Sequence, residues 1–317
     1  MEVAVVGGGR MGLPLACCLA DHGATTRVCD INARLVKMIN AGESPYEEPG
    51  LDAYIKRNVR AGRLMATTDT SAAVSQGDVI VVIVPAWLTK DRDIDYSVLK
   101  AASESIGRGL KAGALICYET TVAVGGTRSE LVPVLEATSG LRAGMDFHVA
   151  FSPERVKANK VFDRLEKTPK VVGGFNAEST ARAVQFYSEY LGVETLNVGA
   201  LEAAELTKLA GMLYRDINIA LANELAALSE IAGVDFHLVR DAANTNGEAH
   251  LLLPGIGVGG HCTPVYPHFM IEDAKRRGVP QQLSTIARQV NDAQPARHIE
   301  RLARAWGPLK ERHVHIL

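Results

Sequence analysis

The sequence carries almost no excess charge of either sign. Its 34 lysines and arginines nearly balance 36 aspartates and glutamates, which leaves a formal net charge of −2 over 317 residues. A balanced chain has no general electrostatic attraction for nucleic acid or for an anionic membrane. We therefore expect neither partner, and any phosphate-bearing ligand has to be held by local groups.

Long hydrophobic runs are also missing. The most apolar stretch, Val79–Leu88, contains Pro85 and is far shorter than the roughly 20 apolar residues that cross a bilayer. The chain opens directly on an apolar pattern of strand length, and no basic segment of the kind that begins a secretory signal precedes it. The sequence therefore predicts neither a membrane span nor a secretory signal.

Cysteines are too few and too irregularly spaced for a disulfide framework. The five are Cys17, Cys18, Cys29, Cys117 and Cys262. An odd number without framework spacing predicts free thiols in a reducing cytoplasm. No CxxC pair and no histidine–cysteine cluster has the spacing of zinc ligands, so no metal site is predicted.

The first half of the chain alternates short apolar runs with amphipathic stretches. Such alternation predicts an α/β domain whose parallel sheet is covered by helices on both faces. The predicted strands are Val3–Val6, Thr26–Cys29, Val79–Val84, Leu115–Tyr118, His148–Phe151, Val171–Gly173 and Thr195–Val198. The predicted helices include Leu13–His22, Ala33–Ala41, Tyr96–Gly107 and Ala177–Leu191.

The second half is predicted to be helical throughout. Apolar residues recur at helical intervals from Leu201 to Ala232 without a proline, and a helix of this length often lines a subunit interface or links domains. Further helices are predicted at Asp235–Ala243, Pro267–Arg277 and Gln282–Trp306. The segment Arg312–Leu317 has the pattern of a strand, and we expect it to begin a further domain that has been cut off or lost.

A glycine pattern lies between the first predicted strand and the first predicted helix. Gly7, Gly9 and Gly12 satisfy GxGxxG, in which the glycines permit a tight turn, close approach of a pyrophosphate and packing of the helix on the strand. Asp30 ends the second predicted strand, where a carboxylate accepts hydrogen bonds from ribose hydroxyls and repels a 2′-phosphate. The pattern predicts a Rossmann domain that binds NAD, and the alternative is a related domain that binds no dinucleotide.

The most distinctive segment is PGIGVGGHCTP, residues 254–264, in which four glycines precede a cysteine. Glycines let the backbone come close to a ligand and expose its amides. Cys262 at the end of this loop can meet a carbonyl carbon, and a thiolate is a strong nucleophile. The alternative is a small buried thiol beside a turn, which is how we interpret the other four cysteines.

Several segments in order resemble one family. The chain resembles the UDP-glucose/GDP-mannose dehydrogenases, and within them the UDP-N-acetylmannosamine and UDP-N-acetylglucosamine dehydrogenases. The matching segments are VVGGGRMGLPLA, DIN, INAGESPYEEPGL, ETTV, FSPERV, ELTKL, RDINIALANELAAL and GVGGHCTPV. They run through nearly all of the chain, and together they are far more specific than any single motif.

The resemblance implies NAD-dependent oxidation of a nucleotide sugar, of the UDP-hexose or UDP-N-acetylhexosamine type, at its C6 hydroxymethyl group to the uronic acid. Cys262 would attack the intermediate aldehyde and form first a thiohemiacetal and then a thioester. Lys208 would stabilise the oxyanion, and Glu154 would help to activate the hydrolytic water. Thr121 would position water or substrate.

The resemblance also implies the contacts of both ligands. The cofactor contacts are expected at Gly7, Gly9, Arg10, Met11, Gly12, Asp30, Pro85 and Thr121. The substrate contacts are expected at Glu154, Arg155, Lys208, Met212, Gly257, Gly259 and Gly260. We expect an NAD-binding domain over residues 1–199, a helical central domain over 200–308 that pairs into a homodimer through its long helix, and the start of a truncated or lost C-terminal nucleotide-sugar-binding domain over 309–317.

Two residues depart from the family pattern. Met212 stands where the family has an asparagine understood as an oxyanion donor, and methionine donates no hydrogen bond. Tyr266 stands where the family has an aspartate that works with the lysine in proton transfer, and tyrosine is a poor base at neutral pH. Loss of one oxyanion donor lowers a rate by roughly 10²–10³.

Three hypotheses follow for the function. The first is a dehydrogenase of the family type with an altered active site. The second is an NAD enzyme of the same fold with changed chemistry, which stops at the aldehyde or uses a transient oxidation with Tyr266 as acid and base. The third is a non-catalytic relative that binds nucleotides or partners.

Overall fold

The computed structural model describes residues 1–156, 159–260, 262–310 and 313. The chain divides into two compact units, Met1–Lys208 and Leu209–Leu317. The division falls inside the long helix Leu201–Ala232, so that this helix begins in the first unit and continues in the second.

A sheet of eight strands forms the centre of the first unit. The strands in chain order are β1 (Glu2–Val6), β2 (Thr25–Cys29), β3 (Leu64–Thr67), β4 (Val79–Val82), β5 (Trp87–Leu88), β6 (Ile94–Asp95), β7 (Leu115–Tyr118), β8 (His148–Phe151), β9 (Lys170–Gly174) and β10 (Thr195–Ala200). Strands β5 and β6 pair only with each other, and the rest lie in the order β10-β9-β8-β7-β4-β1-β2-β3. The seven predicted strands are all present, whereas β3 and the β5–β6 pair were not predicted.

Helices surround this sheet. They are α1 (Gly12–Asp21), α2 (Ala33–Asn40), α3 (Leu51–Arg60), α4 (Thr70–Gln76), α5 (Ser97–Gly109), α6 (Val132–Ser139), α7 (Val161–Lys167) and α8 (Ala177–Tyr190), with a π-helical turn at Thr127–Leu131 before α6. Every residue of β4, β7 and β8 is buried. Their uninterrupted apolar runs therefore match a sheet that is covered on both faces.

One strand reverses the direction of the sheet. Strand β9 pairs antiparallel with β8, with Phe151 opposite Gly173 and Ala150 opposite Gly174, whereas the other neighbouring pairs of the large sheet are parallel. The predicted parallel sheet is therefore confirmed for β1 to β4, β7 and β8 but is wrong for β9 and β10, which run in the opposite direction. A parallel strand needs a connection that crosses to the opposite edge, but the chain between β8 and β9 returns at the same edge. Lys170, the first residue of β9, consequently lies at the carboxyl ends of β7 and β8.

The second unit is helical, as predicted. Helix α9 (Leu201–Ala232) is followed by α10 (Phe236–Ala243), a 3₁₀ turn at Asn244–Asn246, α11 (Tyr266–Arg276) and α12 (Gln282–Trp306). No strand occurs among the residues described in this unit. The strand predicted at Arg312–Leu317 lies outside the described residues, apart from His313. None of the helices in the described ranges combines the length and apolar composition that a membrane crossing requires.

A buried ion pair joins α9 to α12. Arg288 donates to the Asp216 carboxylate at 2.7 Å, and the two side chains are 5% and 1% exposed. Asn291 donates to the same carboxylate oxygen at 2.9 Å. Burial raises the pKa of Asp216, and the Arg288 guanidinium opposes that shift. Removal of one partner of such a pair strands an uncompensated charge.

Substitution of Arg288 by methionine is expected to lower the free energy of unfolding by about 3–5 kcal/mol, because it leaves the Asp216 carboxylate buried without its cation. Urea unfolding followed by circular dichroism measures the change. Arg182→Met is the matched control, because Arg182 pairs with Glu178 on the surface, with side chains 46% and 60% exposed. Its loss should stay below about 1 kcal/mol, and equal losses for the two variants would contradict the prediction.

Candidate active site

The glycine loop after β1 has the shape that a dinucleotide requires. Gly7 has a φ of +108°, and a Cβ atom on Gly12 would lie 1.9 Å from the carbonyl oxygen of Gly7. A larger residue at position 12 would therefore push the loop away from α1. A Cβ atom on Gly9 would meet nothing within 4 Å, so the backbone there is open to a ligand. The loop leads directly into α1, whose N-terminus favours an anion.

Asp30 is held at the end of β2. Its carboxylate accepts from the backbone N–H of Gly8 at 2.8 Å and from that of Asn32 at 2.9 Å. These two bonds orient the carboxylate next to the glycine loop. The arrangement fits the predicted role, in which Asp30 accepts hydrogen bonds from a ribose.

A second segment, residues 44–50, is tied to the glycine loop. The Tyr46 hydroxyl donates to the carbonyl oxygen of Gly9 at 2.5 Å. The Arg10 guanidinium lies 5.3 Å from the centre of the Tyr46 ring and donates to the carbonyl oxygen of Glu47 at 3.4 Å. Burial raises the pKa of Tyr46, so the hydroxyl remains a donor. The sequence indicated this segment only through the family resemblance, and its contact with the glycine loop was not predicted.

The remaining predicted cofactor residues lie at the same edge of the sheet as the glycine loop. Met11 directly precedes α1, and its side chain packs partly against the core. Pro85 follows β4, and the buried Thr121 follows β7, the neighbouring strand. Strands β4 and β1 lie side by side at the point where the strand order reverses, which is where dinucleotides bind in open α/β sheets. The first unit thus brings the predicted cofactor residues to one edge of its sheet.

Glu154 and Lys208 are also brought together in the first unit. The Lys208 ammonium donates to the backbone carbonyl oxygen of Glu154, and the Glu154 carboxylate accepts from the backbone N–H of Val156. Burial raises the pKa of Glu154, and Lys208 partly offsets that rise. Arg155 donates to the carbonyl oxygen of Pro169 and so fastens the SPER segment to the chain just before β9.

Glu205 anchors the first turns of α9 and was missed by sequence reasoning. Its carboxylate is fully buried and accepts from the backbone N–H groups of Gly125 at 2.5 Å and Thr127 at 3.0 Å. Burial raises its pKa. The bonds join α9, one turn before Lys208, to the segment that follows Thr121. The only signal available in the sequence was the place of Glu205 at the start of the ELTKL segment.

The glycine-rich loop of the second unit is held from its amino-terminal side. Asn223 of α9 accepts from the backbone N–H of Gly255 at 2.9 Å and donates to Asn291 of α12 at 3.0 Å. Asn218 of α9 accepts from the backbone N–H of Leu252 at 3.1 Å. Two side-chain amides of one helix therefore position the chain that enters the loop.

Cys262 lies at the other end of this loop. Its side chain is exposed, and its carbonyl oxygen accepts from the backbone N–H of Tyr266 at 2.9 Å, in the first turn of α11. A Cβ atom on Gly259 or Gly260 would meet nothing within 4 Å, and one on Gly257 would approach the Pro295 ring.

The two departures from the family pattern also belong to the second unit. Tyr266 is buried at the start of α11, where its ring packs edge-on against Phe269 with centroids 5.4 Å apart. Met212 is partly exposed on α9. The other four cysteines are buried, which agrees with their interpretation as packing residues.

Comparison with family models covers both units. Residues 1–191 match the NAD-binding domain of the UDP-glucose/GDP-mannose dehydrogenase family, and residues 202–293 match its central domain.

Individual relatives agree with this assignment. The UDP-N-acetyl-D-mannosamine dehydrogenase of Pyrococcus horikoshii is 34% identical over 296 residues, which cover 93% of this chain and 69% of that protein. The UDP-N-acetyl-D-glucosamine 6-dehydrogenase of Pseudomonas aeruginosa is 33% identical over 321 residues, which cover 100% of this chain and 72% of that protein.

A solved structure has the same fold. The UDP-D-ManNAc dehydrogenase from Pyrococcus horikoshii superposes with a TM-score of 0.91 at 33% identity, over 96% of this chain and 71% of that one. The predicted fold class and NAD as cofactor are thereby confirmed. The chain belongs to the UDP-glucose/GDP-mannose dehydrogenase family.

Proposed function

We propose that this protein is an NAD-dependent dehydrogenase that oxidises the C6 hydroxymethyl group of a UDP-N-acetylhexosamine to the carboxylate. The observation that carries the proposal is the exposed Cys262 at the amino end of α11, after a glycine-rich loop that α9 holds in place. The relatives that are named UDP-N-acetyl-D-mannosamine and UDP-N-acetyl-D-glucosamine dehydrogenases support the substrate class.

The cofactor fits the first unit of this chain. The open backbone at Gly9, the close packing of Gly12 and the oriented Asp30 carboxylate suit a pyrophosphate and a ribose. Bound NAD⁺ would accept a hydride from C6 in each of two oxidations. Pro85 and Thr121, at the ends of neighbouring strands, would flank the nicotinamide end of the crevice.

The protein's own groups handle the carbonyl chemistry. The Cys262 sulfur adds to the C6 aldehyde to form a thiohemiacetal, and loss of the second hydride from that carbon leaves a thioester. Water then breaks the carbon–sulfur bond, which yields the carboxylate and restores the thiol. Per sugar, one alcohol, one water and two NAD⁺ give one carboxylate, two NADH and three protons.

Lys208 and Glu154 take complementary roles. The Lys208 ammonium offers positive charge to the oxyanion that forms at each addition. Glu154 has a raised pKa because it is buried, so it exchanges protons nearer to neutral pH than an exposed carboxylate does. We assign Glu154 to the activation of the hydrolytic water.

The departures at Met212 and Tyr266 are expected to slow the reaction without changing it. The Tyr266 ring is buried against Phe269, which supports a packing role at the start of α11. Met212 cannot donate the hydrogen bond that the family's asparagine is understood to give to the oxyanion. We therefore favour complete oxidation over the hypothesis in which Tyr266 serves as acid and base.

Two NADH per sugar and a uronic acid product are expected when the protein is incubated with NAD⁺ and UDP-N-acetylmannosamine or UDP-N-acetylglucosamine. NADH absorbance and mass spectrometry of the sugar give the count. Cys262→Ala should form no acid, because no thioester can form, yet it should bind NAD⁺ as tightly as the wild type. One NADH with an aldehyde product would support the single-oxidation alternative, and acid formation by Cys262→Ala would refute the thioester route.

Gly9→Ala is expected to leave the thermal unfolding midpoint unchanged and to raise the Kd for NAD⁺ at least about tenfold, or roughly 1.4 kcal/mol. The added methyl group has space in the free protein but occupies the surface that the pyrophosphate needs. Gly12→Ala is the contrasting variant, because its methyl group would collide with Gly7 and should lower the midpoint itself. Isothermal titration calorimetry measures the Kd. Wild-type affinity in Gly9→Ala would place the pyrophosphate elsewhere.

We also propose that the protein forms a homodimer through α9. Tyr214, Leu221 and Leu228 recur at intervals of a heptad and are 57%, 44% and 63% exposed. Ile231, one turn beyond Leu228, is 85% exposed. Such a stripe on one helix face matches the seam between two packed helices, and a second copy presents the same stripe.

Sedimentation should therefore show twice the chain mass of 34.0 kDa. Ile231→Asp is expected to shift the population towards the monomer, because it places a charge in an apolar seam. Met145→Asp, at a residue of the first unit that is 79% exposed, is the control and should not change the mass. A monomeric wild type, or a dimer unaffected by Ile231→Asp, would contradict pairing along this stripe.

A further inference from the structure

A buried charged cluster lies beside the SPER segment, and the proposed mechanism gives it no role. The Lys170 ammonium pairs with the Glu119 carboxylate, and the two side chains are 8% and 0% exposed. Tyr187 of α8 donates its hydroxyl to the other Glu119 oxygen at 2.7 Å, and Lys170 lies 4.9 Å from the centre of the Tyr187 ring. Because desolvation offsets much of the attraction in such a pair, stability alone is a weak reason for its presence.

The reversal of β9 places this cluster at the catalytic edge. Lys170 begins β9, and Glu119 directly follows β7, whose carboxyl end lies at the same edge. Arg155 donates to the carbonyl oxygen of Pro169, the neighbour of Lys170. Glu119 stands two positions before Thr121 in the chain. The cluster therefore links the segment that carries Thr121 to the segment that carries Glu154.

The charges around Glu154 come from several elements. Lys208 of α9 and Lys170 of β9 lower its pKa, whereas Glu119 after β7 raises it. Arg155 adjoins it in the chain and interacts with its charge. Burial is the largest influence, so the pKa of Glu154 stays raised. Among these cations, Lys170 is buried and pairs with a second carboxylate, that of Glu119, which also accepts from Tyr187.

We propose that Lys170, clamped by Glu119 and Tyr187, is a positioning residue for the general base Glu154. It holds the start of β9, next to the Pro169 carbonyl oxygen to which Arg155 fastens the SPER segment, and its positive charge acts on the Glu154 carboxylate. The inference rests on the proposed function in that it takes Glu154 as the general base.

The test compares variants that change charge with one that preserves it. Lys170→Met removes a cation whose effect on Glu154 is larger than that of Glu119, so the pKa of Glu154 rises. The acid limb of the kcat profile should then move to higher pH by at least about half a unit, with little change in KM. Lys170→Arg keeps the charge and should keep the wild-type limb. Lys167→Met, at an exposed lysine paired with Asp163 on α7, is the matched control.

Equal profiles for the wild type, Lys170→Met and Lys170→Arg would overturn the inference, and so would equal displacement of the limb by both variants. If Lys170→Met does not fold, Glu119→Gln serves as the second variant. It removes an anion, so the limb should move to lower pH, and an unmoved limb would count against the inference.

A second measurement does not depend on turnover. The carboxyl carbon of Glu154, labelled with ¹³C and assigned by its disappearance in Glu154→Gln, can be titrated by NMR in the free protein. Its midpoint should rise in Lys170→Met and stay in Lys170→Arg. If the wild type oxidises no UDP-sugar, the proposed function fails while this titration still decides the role of Lys170. If turnover is present and the midpoint does not move, only the further inference fails.

Discussion

The reversed direction of β9 is the constraint on which the arrangement at the carboxyl edge of the large sheet depends. In a parallel sheet the first residue of a strand lies at the edge opposite to the ligand crevice, and Lys170 would be far from Glu119. Because β9 enters from the carboxyl edge, the two meet in a buried ion pair, and Arg155 can reach Pro169. A charge pair of this kind needs its remaining hydrogen-bonding capacity satisfied, and Tyr187 contributes to that. The edge of the sheet at which the glycine loop lies therefore also holds a buried charged cluster.

Helix α9 positions irregular segments of the chain in each unit in the same way. Its side chains accept hydrogen bonds from backbone N–H groups of irregular chain that are buried or partly buried. In the first unit Glu205 accepts from Gly125 and Thr127, and in the second unit Asn218 and Asn223 accept from the chain that leads into the glycine-rich loop. A 32-residue helix is well suited to this, because its regular backbone fixes where each side chain starts.

Local sequence patterns predicted the helices and strands that are determined by residues close together in the chain. The proline-free apolar repeat of α9 gave its bounds, and the runs LICY and HVAF marked buried strands. Helix α3 escaped notice because only Leu51, Ile55 and Asn58 of its ten residues are buried. The run VVGG looks the same in a parallel and an antiparallel strand, so the direction of β9 could not be predicted from it. Contacts such as Tyr46 to Gly9 join distant residues, and no local pattern encodes them.

Met212 and Tyr266 depart from the family pattern, and the packing of Tyr266 changes how its departure is interpreted. From the sequence alone, a tyrosine in place of a family aspartate suggests a new acid–base group. In the structure its ring fills the start of α11 against Phe269, and a carboxylate at so buried a position would need a partner or would resist ionisation. Tyr266, the first residue of α11, is therefore better explained by packing than by proton transfer. The proposed proton transfer then depends on Lys208 and Glu154, which the structure holds together, and for the same reason the charge of Lys170 gains importance in the proposal.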